Sequence, residues 1–184
     1  MVRGREQTVV DLLVGQHADV REQFEKVAKA KGKNRAAAFD RLRYLLAVHE
    51  TAEEEIVHPF ARQAIGNGAR IIGARLKEEK EAKTLLQQLE RLDADSADFE
   101  PLLERLRKAV EAHAAKEEQV EFTKIAEKAT PQQLKGMVAA VKIAEAIAPT
   151  HPHPGTESPS KNVTVGSVAS VVDRTRDAIH KAMT

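Results

Sequence analysis

The chain has 184 residues, with Lys+Arg 29 against Asp+Glu 28 and a formal net charge of +1. That length suits one domain, or one domain with an appendage, and the near-even charge gives no electrostatic case for nucleic acid. Cysteine is absent, which excludes disulfides, iron–sulfur ligation and thiolate zinc sites. The six aromatics are five Phe and Tyr44, while Ala, Leu, Glu, Lys and Arg abound, a composition biased toward helix. No stretch approaches the roughly 18 apolar residues of a membrane span, and charge interrupts the N-terminus before any apolar run, so a soluble, cytoplasmic protein with no membrane partner is expected.

Helical periodicity runs over about 6–30 and stops near "KAKGKN", at Gly32 and Asn34. A second helix is predicted over 35–65, with Pro59 ending or kinking it early and "GNG" (66–68) closing it. The third spans 69–92 and ends at "DADSAD". The fourth covers 98–128, with Asp98 as N-cap and Pro101 in its first turn. "TPQQL" then starts a shorter helix, with Thr130 as cap and Pro131 in first position. The Pro/Ser/Thr-rich run from Ala148 reads as a linker, and the last residues form a short amphipathic helix with Val168, Val171, Val172 and Ile179 on one face. Four long helices with short connections imply an all-α, antiparallel up-down-up-down four-helix bundle over residues 1–130, followed by a C-terminal helical extension over 131–184.

Stepping by threes and fours traces an apolar seam on each helix. His17 interrupts the first, His49 and Glu53 the second, Glu79 the third, and His113 and Glu117 the fourth; Val120 continues the fourth seam. At a rise of about 1.5 Å per residue, antiparallel packing brings all six to one level, with apolar layers above and below. Three buried carboxylates repel, each buried ion costs several kcal/mol unless compensated, and no Lys or Arg lies on the traced seams nearby. A metal pair removes the conflict, since nitrogen and oxygen donors without sulfur suit iron first, then manganese, then zinc. Histidine and glutamate four apart stack on one helix face, about 5–6 Å between Cβ atoms. Each His-x-x-x-Glu pair can therefore converge on one ion, or let Glu53 and Glu117 bridge two.

With His17, "HETAEEEIVHP" on the second helix and "HAAKEEQVEF" on the fourth, the chain resembles the hemerythrin-like (HHE cation-binding) family over about residues 6–128. The resemblance implies a non-haem centre of two iron ions, oxo- or hydroxo-bridged, that meets a small molecule such as O2, peroxide or NO. The third helix departs from the family. "KEEKEAK" carries no histidine, so Glu79 stands where one is usual and Lys83 where a second would be, with Glu78 and Glu81 less well placed. A centre of three histidines and three carboxylates is more anionic and favours the ferric state. That turns the expectation from reversible oxygen carriage toward peroxide, nitric oxide or iron itself, in redox response or sensing. A peroxide-decomposing enzyme and a metal-free structural bundle are the two alternatives.

Glu55-Ile-Val-His58 matches the Glu-x-x-His motif of ferritin-like bundles once, off the seam and without a second copy, so that reading is rejected. His58 is expected to be solvated, Glu50 exposed, and Glu54 and Glu118 at helix edges. Tyr44 is expected to pack. "HPHP" (151–154), His180 and the charged runs "KAKGK" and "KEEKEAK" read as unremarkable surface.

Overall fold

The structure, a computed structural model, describes residues 7–147. The linker, "HPHP", His180 and the final amphipathic helix therefore lie outside the described residues. Within them the chain is all helical: α1 Val9–Lys29, α2 Gly32–Ala52, a π-helical turn Glu53–Val57, α3 His58–Ala64, α4 Gly68–Leu89, α5 Phe99–Lys116, a second π-helical turn Glu117–Glu121, α6 Phe122–Lys128 and α7 Pro131–Ile147. Each π turn runs unbroken between its flanking helices, so α2–α3 and α5–α6 are two continuous rods. Short connections fold the rods back on one another into a helical bundle, and α7 lies against α1, α2 and the first π turn.

Local chemistry sets the ends. Thr8 and Asp11 form a reciprocal capping box at the start of α1, and Thr130 and Gln133 do the same before α7. Asp98 sits at the N-cap of α5, but its side chain makes no capping bond. Asn67 takes the left-handed conformation in the turn before α4. Next to it Gly68 passes so close to α3 that a Cβ would lie 2.4 Å from the Ala61 carbonyl oxygen, which leaves room for glycine alone. At the far end, buried Arg35 donates to the carbonyls of Ala30 (2.8 Å) and Ala94 (3.0 Å) and to Glu100 (2.7 Å), tying two connections together.

The core is two apolar clusters with a polar layer between them. Leu13, Ile56, Phe60, Ile72, Phe122 and Val141 belong to one; Phe24, Phe39, Leu42, Leu86, Phe99 and Leu106 to the other. His17, His49, Glu53, Glu79, His113 and Glu117 fall between them in sequence on their own rods, and all six are buried. The second helix does not stop at Pro59. Proline cannot donate to the carbonyl four residues back, and the chain takes up that lost bond in a π turn, closed by the His58 N–H on the Glu53 carbonyl. The second π turn closes in the same way, from the Phe122 N–H to the Glu117 carbonyl, and contains no proline.

Candidate metal centre

The two π turns begin at Glu53 and Glu117, the carboxylates at the middle of the polar layer. Each inserts one residue into its turn, a device that recurs at functional sites. Glu53 and Glu117 are fully buried, Glu79 is 1 % exposed, and the three histidines are no more than 8 % exposed. His17, His49, Glu53 and Glu117 bring one ligand atom each to within 4.8 Å of one another; Glu53, Glu79, His113 and Glu117 do the same. The two groups share both π-turn carboxylates.

The inward atoms lack ordinary partners. Both oxygens of Glu53, both of Glu117, Glu79 Oε2 and His113 Nε2 make no hydrogen bond. Yet His113 Nε2 lies 3.1 Å from Glu117 Oε1, His49 Nε2 3.3 Å from Glu53 Oε2, and His17 Nε2 3.4 Å from Glu117 Oε2. Buried polar atoms left unpaired cost free energy comparable to a lost hydrogen bond. A set of hard oxygens and imidazole nitrogens converging at such spacings fits a cation in their midst.

Every one of these histidines turns Nε2 inward and gives Nδ1 a partner outside. His17 Nδ1 meets Glu118 Oε1 at 2.8 Å, and that oxygen also accepts from Arg21. His113 Nδ1 meets Glu78 at 3.2 Å, backed by Lys116 at 2.6 Å. His49 Nδ1 meets Gln16 Oε1 at 2.8 Å. Outer partners of this kind orient ligating imidazoles. Seam tracing, which looks only at inward positions, misses all three.

Without a cation the layer divides its charge among its own groups. Burial, then the Glu117 charge, pushes the Glu53 carboxyl up to about 8. Burial also works against Glu117, but His113 beside it holds its carboxyl well below the ordinary range. Burial would lower His17 and His113; Glu117, the largest opposing influence on each, raises both above the ordinary histidine value. Burial and the neighbouring His17 keep His49 neutral, at about 3. Two carboxylates share one dry space, and one of them keeps its proton.

Several expectations are corrected here. His58 is buried, not solvated: Nε2 meets Glu79 at 2.8 Å and Nδ1 meets Glu121 at 3.1 Å. The π turns explain it. Past an inserted residue the inward face shifts by one position, so His58, Glu121 and Phe122 turn inside while Val120, assigned to the seam, is 41 % exposed. Lys83 is also inside, 2.6 Å from Glu54 and 3.3 Å from Glu50, so the layer has a lysine that the seams did not show. Glu50 and Glu54 are accordingly buried and not exposed or at an edge, and burial raises them to about 8 and about 7. Lys83, raised by both, keeps its charge. We assign the paired negative charge to Glu54, which has the shorter contact. Tyr44 is 37 % exposed and lies under the Arg41 guanidinium; it is not in the core.

A cavity of about 20 Å3 opens onto the layer, walled by Val20, Phe24, Leu46, Ala82 and Val110 beside His17, His49 and His113. It has room for about one water-sized molecule.

Comparison with known proteins gives a consistent picture. The family described as Hemerythrin HHE cation binding domain matches residues 8–125. A hemerythrin-like protein of Schizosaccharomyces pombe is 21 % identical over 176 residues, covering 94 % of this chain and 87 % of its own length. The crystal structure of a Hemerythrin HHE cation binding domain-containing protein from Mycobacterium kansasii superposes with a TM-score of 0.66 at 22 % identity, over 76 % of this chain and 88 % of its own. No helix among the described residues is long and apolar enough to cross a membrane.

Proposed function

The chain belongs to the Hemerythrin HHE cation-binding family, and on that premise we propose that it is a non-haem di-iron protein acting on a small oxidant or diatomic: O2, peroxide or NO. His17, His49, Glu53, Glu79, His113 and Glu117 are the ligands in this reading, with Glu53 and Glu117 shared between the two ions. The observation that carries it is the convergence of both buried carboxylates, with no hydrogen bond of their own, between two groups of histidine and glutamate donors. When bound, the iron pair supplies an open coordination position and a one-electron couple at each ion.

The protein's own contribution is to hold, shield and select. The outer partners Glu118, Gln16 and Glu78 fix the three rings, and His58 fixes Glu79. Phe24 and Leu46 wall the cavity with hydrocarbon, and its volume is on the scale of a small molecule such as a diatomic or peroxide. The carboxylate-rich donor set, with Glu79 in place of a histidine, favours the higher oxidation state and so a role in redox response or sensing over reversible oxygen carriage.

Steady-state peroxide consumption by iron-loaded protein separates the two remaining roles. Turnover far beyond the bound iron assigns a peroxide-decomposing enzyme; consumption that stops at the iron stoichiometry assigns a binder or sensor. Protein that takes up no iron on anaerobic reconstitution would defeat both.

A further inference from the structure

His17 and His113 have carboxylate partners at Nδ1, which can only accept and therefore require an N–H there. His49 differs: its partner is the Gln16 amide, which offers either an acceptor or a donor. What settles the amide is the group on its other side. Gln16 Nε2 donates to Glu145 Oε1, on α7. A carboxylate accepts, so it draws the Nε2 end of the amide and turns Oε1 toward the ring. The ring must then carry its proton on Nδ1, leaving the Nε2 lone pair facing the centre. His17 Nε2, 3.0 Å away, is placed to donate to that lone pair.

Glu145 lies outside the segment matched by the family. Met137, Ala140 and Val141, buried in the same cluster as Leu13, Ile56 and Phe122, hold α7 in place. The Gln16–Glu145 contact borders a groove of about 410 Å3, which leaves room for other side chains at position 145.

We propose that Glu145 is a positioning residue for the metal centre: through Gln16 it selects the His49 tautomer whose Nε2 is free to bind a metal. The extension helix thereby acts on a ligand through Gln16. The inference rests on His49 being a ligand, and its test reads the tautomer separately from the metal.

Glu145→Lys reverses the chemistry. A lysine can only donate, so it draws Oε1 of Gln16, turns the NH2 group toward Nδ1, and moves the ring proton to Nε2, where it points into the centre. The swapped pair Gln16→Glu with Glu145→Gln keeps an acceptor at Nδ1, since the new carboxylate accepts from both neighbours. Burial raises the Glu145 carboxyl above its ordinary value while Gln16 and Lys142 lower it, so measurements are made on the alkaline side, at about pH 8.

Ring-nitrogen NMR of the metal-free chain should show Nδ1–H at His49 in wild type and the swapped pair, and Nε2–H in Glu145→Lys. Iron(II) affinity, by competition with a chelator, should fall about 10- to 100-fold in Glu145→Lys and stay near wild type in the swapped pair. Should the lysine variant not fold, Glu145→Ala releases the amide and should give a mixture of tautomers with a smaller loss. An Nε2–H ring in wild type, or a ring and an affinity unchanged in the folded variants, overturns the proposal. A wild-type Nδ1–H ring in a chain that binds no iron supports the relay and overturns the metal reading beneath it.

Discussion

Lys83 is the only lysine buried among the described residues, and removing its charge tests the electrostatics of the polar layer. Its Nζ lies 2.6 Å from Glu54 and 3.3 Å from Glu50. At 2.6 Å and an effective dielectric constant near 20, the attraction to Glu54 is about 6 kcal/mol, from which the desolvation of both partners subtracts several. Lys83→Met takes away the cation 2.6 Å from the buried Glu54 carboxyl. The carboxyl escapes by keeping its proton, and that sets a ceiling on the loss. Beside Lys83 the Glu54 carboxyl already stands at about 7, so the loss relative to wild type begins there and costs about 1.36 kcal/mol per pH unit above it: near zero at pH 6 and at most about 1.4 kcal/mol at pH 8. A loss that grows with pH is therefore the signature. Urea unfolding of the metal-free protein at the two pH values reads it directly. Lys83→Met with Glu54→Gln removes both charges together and should recover stability to within about 1 kcal/mol of wild type. A loss that does not grow between pH 6 and pH 8, or one that Glu54→Gln leaves in place, refutes the reasoning.

Two further outcomes follow from the same layer and its supports. Glu50 and Glu53, at about 8 in the fold against 4.5 unfolded, stabilise fully below the unfolded value and lose that contribution as pH rises through the folded one. The raised histidines His17, His58 and His113 act in the same direction above 6.5, so the metal-free melting temperature should fall between pH 6.5 and 8 in scanning calorimetry. Iron binding needs Glu53, His17 and His113 deprotonated on their inward atoms, so the stabilisation it brings should widen over the same interval; a flat metal-free profile would contradict both statements. Gly68→Ala should destabilise by about 1–3 kcal/mol, because its Cβ meets backbone at 2.4 Å that no side-chain rotation can move away; unchanged urea unfolding would show that α3 and α4 separate freely.

The bundle was legible because its signals are local. Thr130-Pro131, the "GNG" turn and seams such as Leu13-His17-Val20-Phe24 each state a helix or its end within a few residues. The polar layer was legible too, since ionisable groups broke every seam at similar depth. Periodicity failed where the backbone left the α-helical period. A seam traced at 3.6 residues per turn runs past Glu117 to Val120, whereas the π turn delivers Glu121 and Phe122 to the interior. The same inserted residue hid His58. Lys83 escaped for another reason: it stands beside the seam residue Ala82, and only the presence of Glu50 and Glu54 across the interface makes its burial tolerable. Gln16, Glu78 and Glu118 have no inward position to betray them, because they act on the outer nitrogens of rings whose inner nitrogens define the seam.

Elemental analysis of the anaerobically reconstituted protein, read with its near-ultraviolet and visible absorption after oxidation by air, addresses the dinuclear proposal itself. The two ligand groups that share Glu53 and Glu117 predict two irons per chain, with ferric charge-transfer bands unobscured by tryptophan. Glu53→Gln with Glu117→Gln should abolish both iron and bands. A chain that holds one iron or none, or a double variant that binds as wild type does, would contradict it.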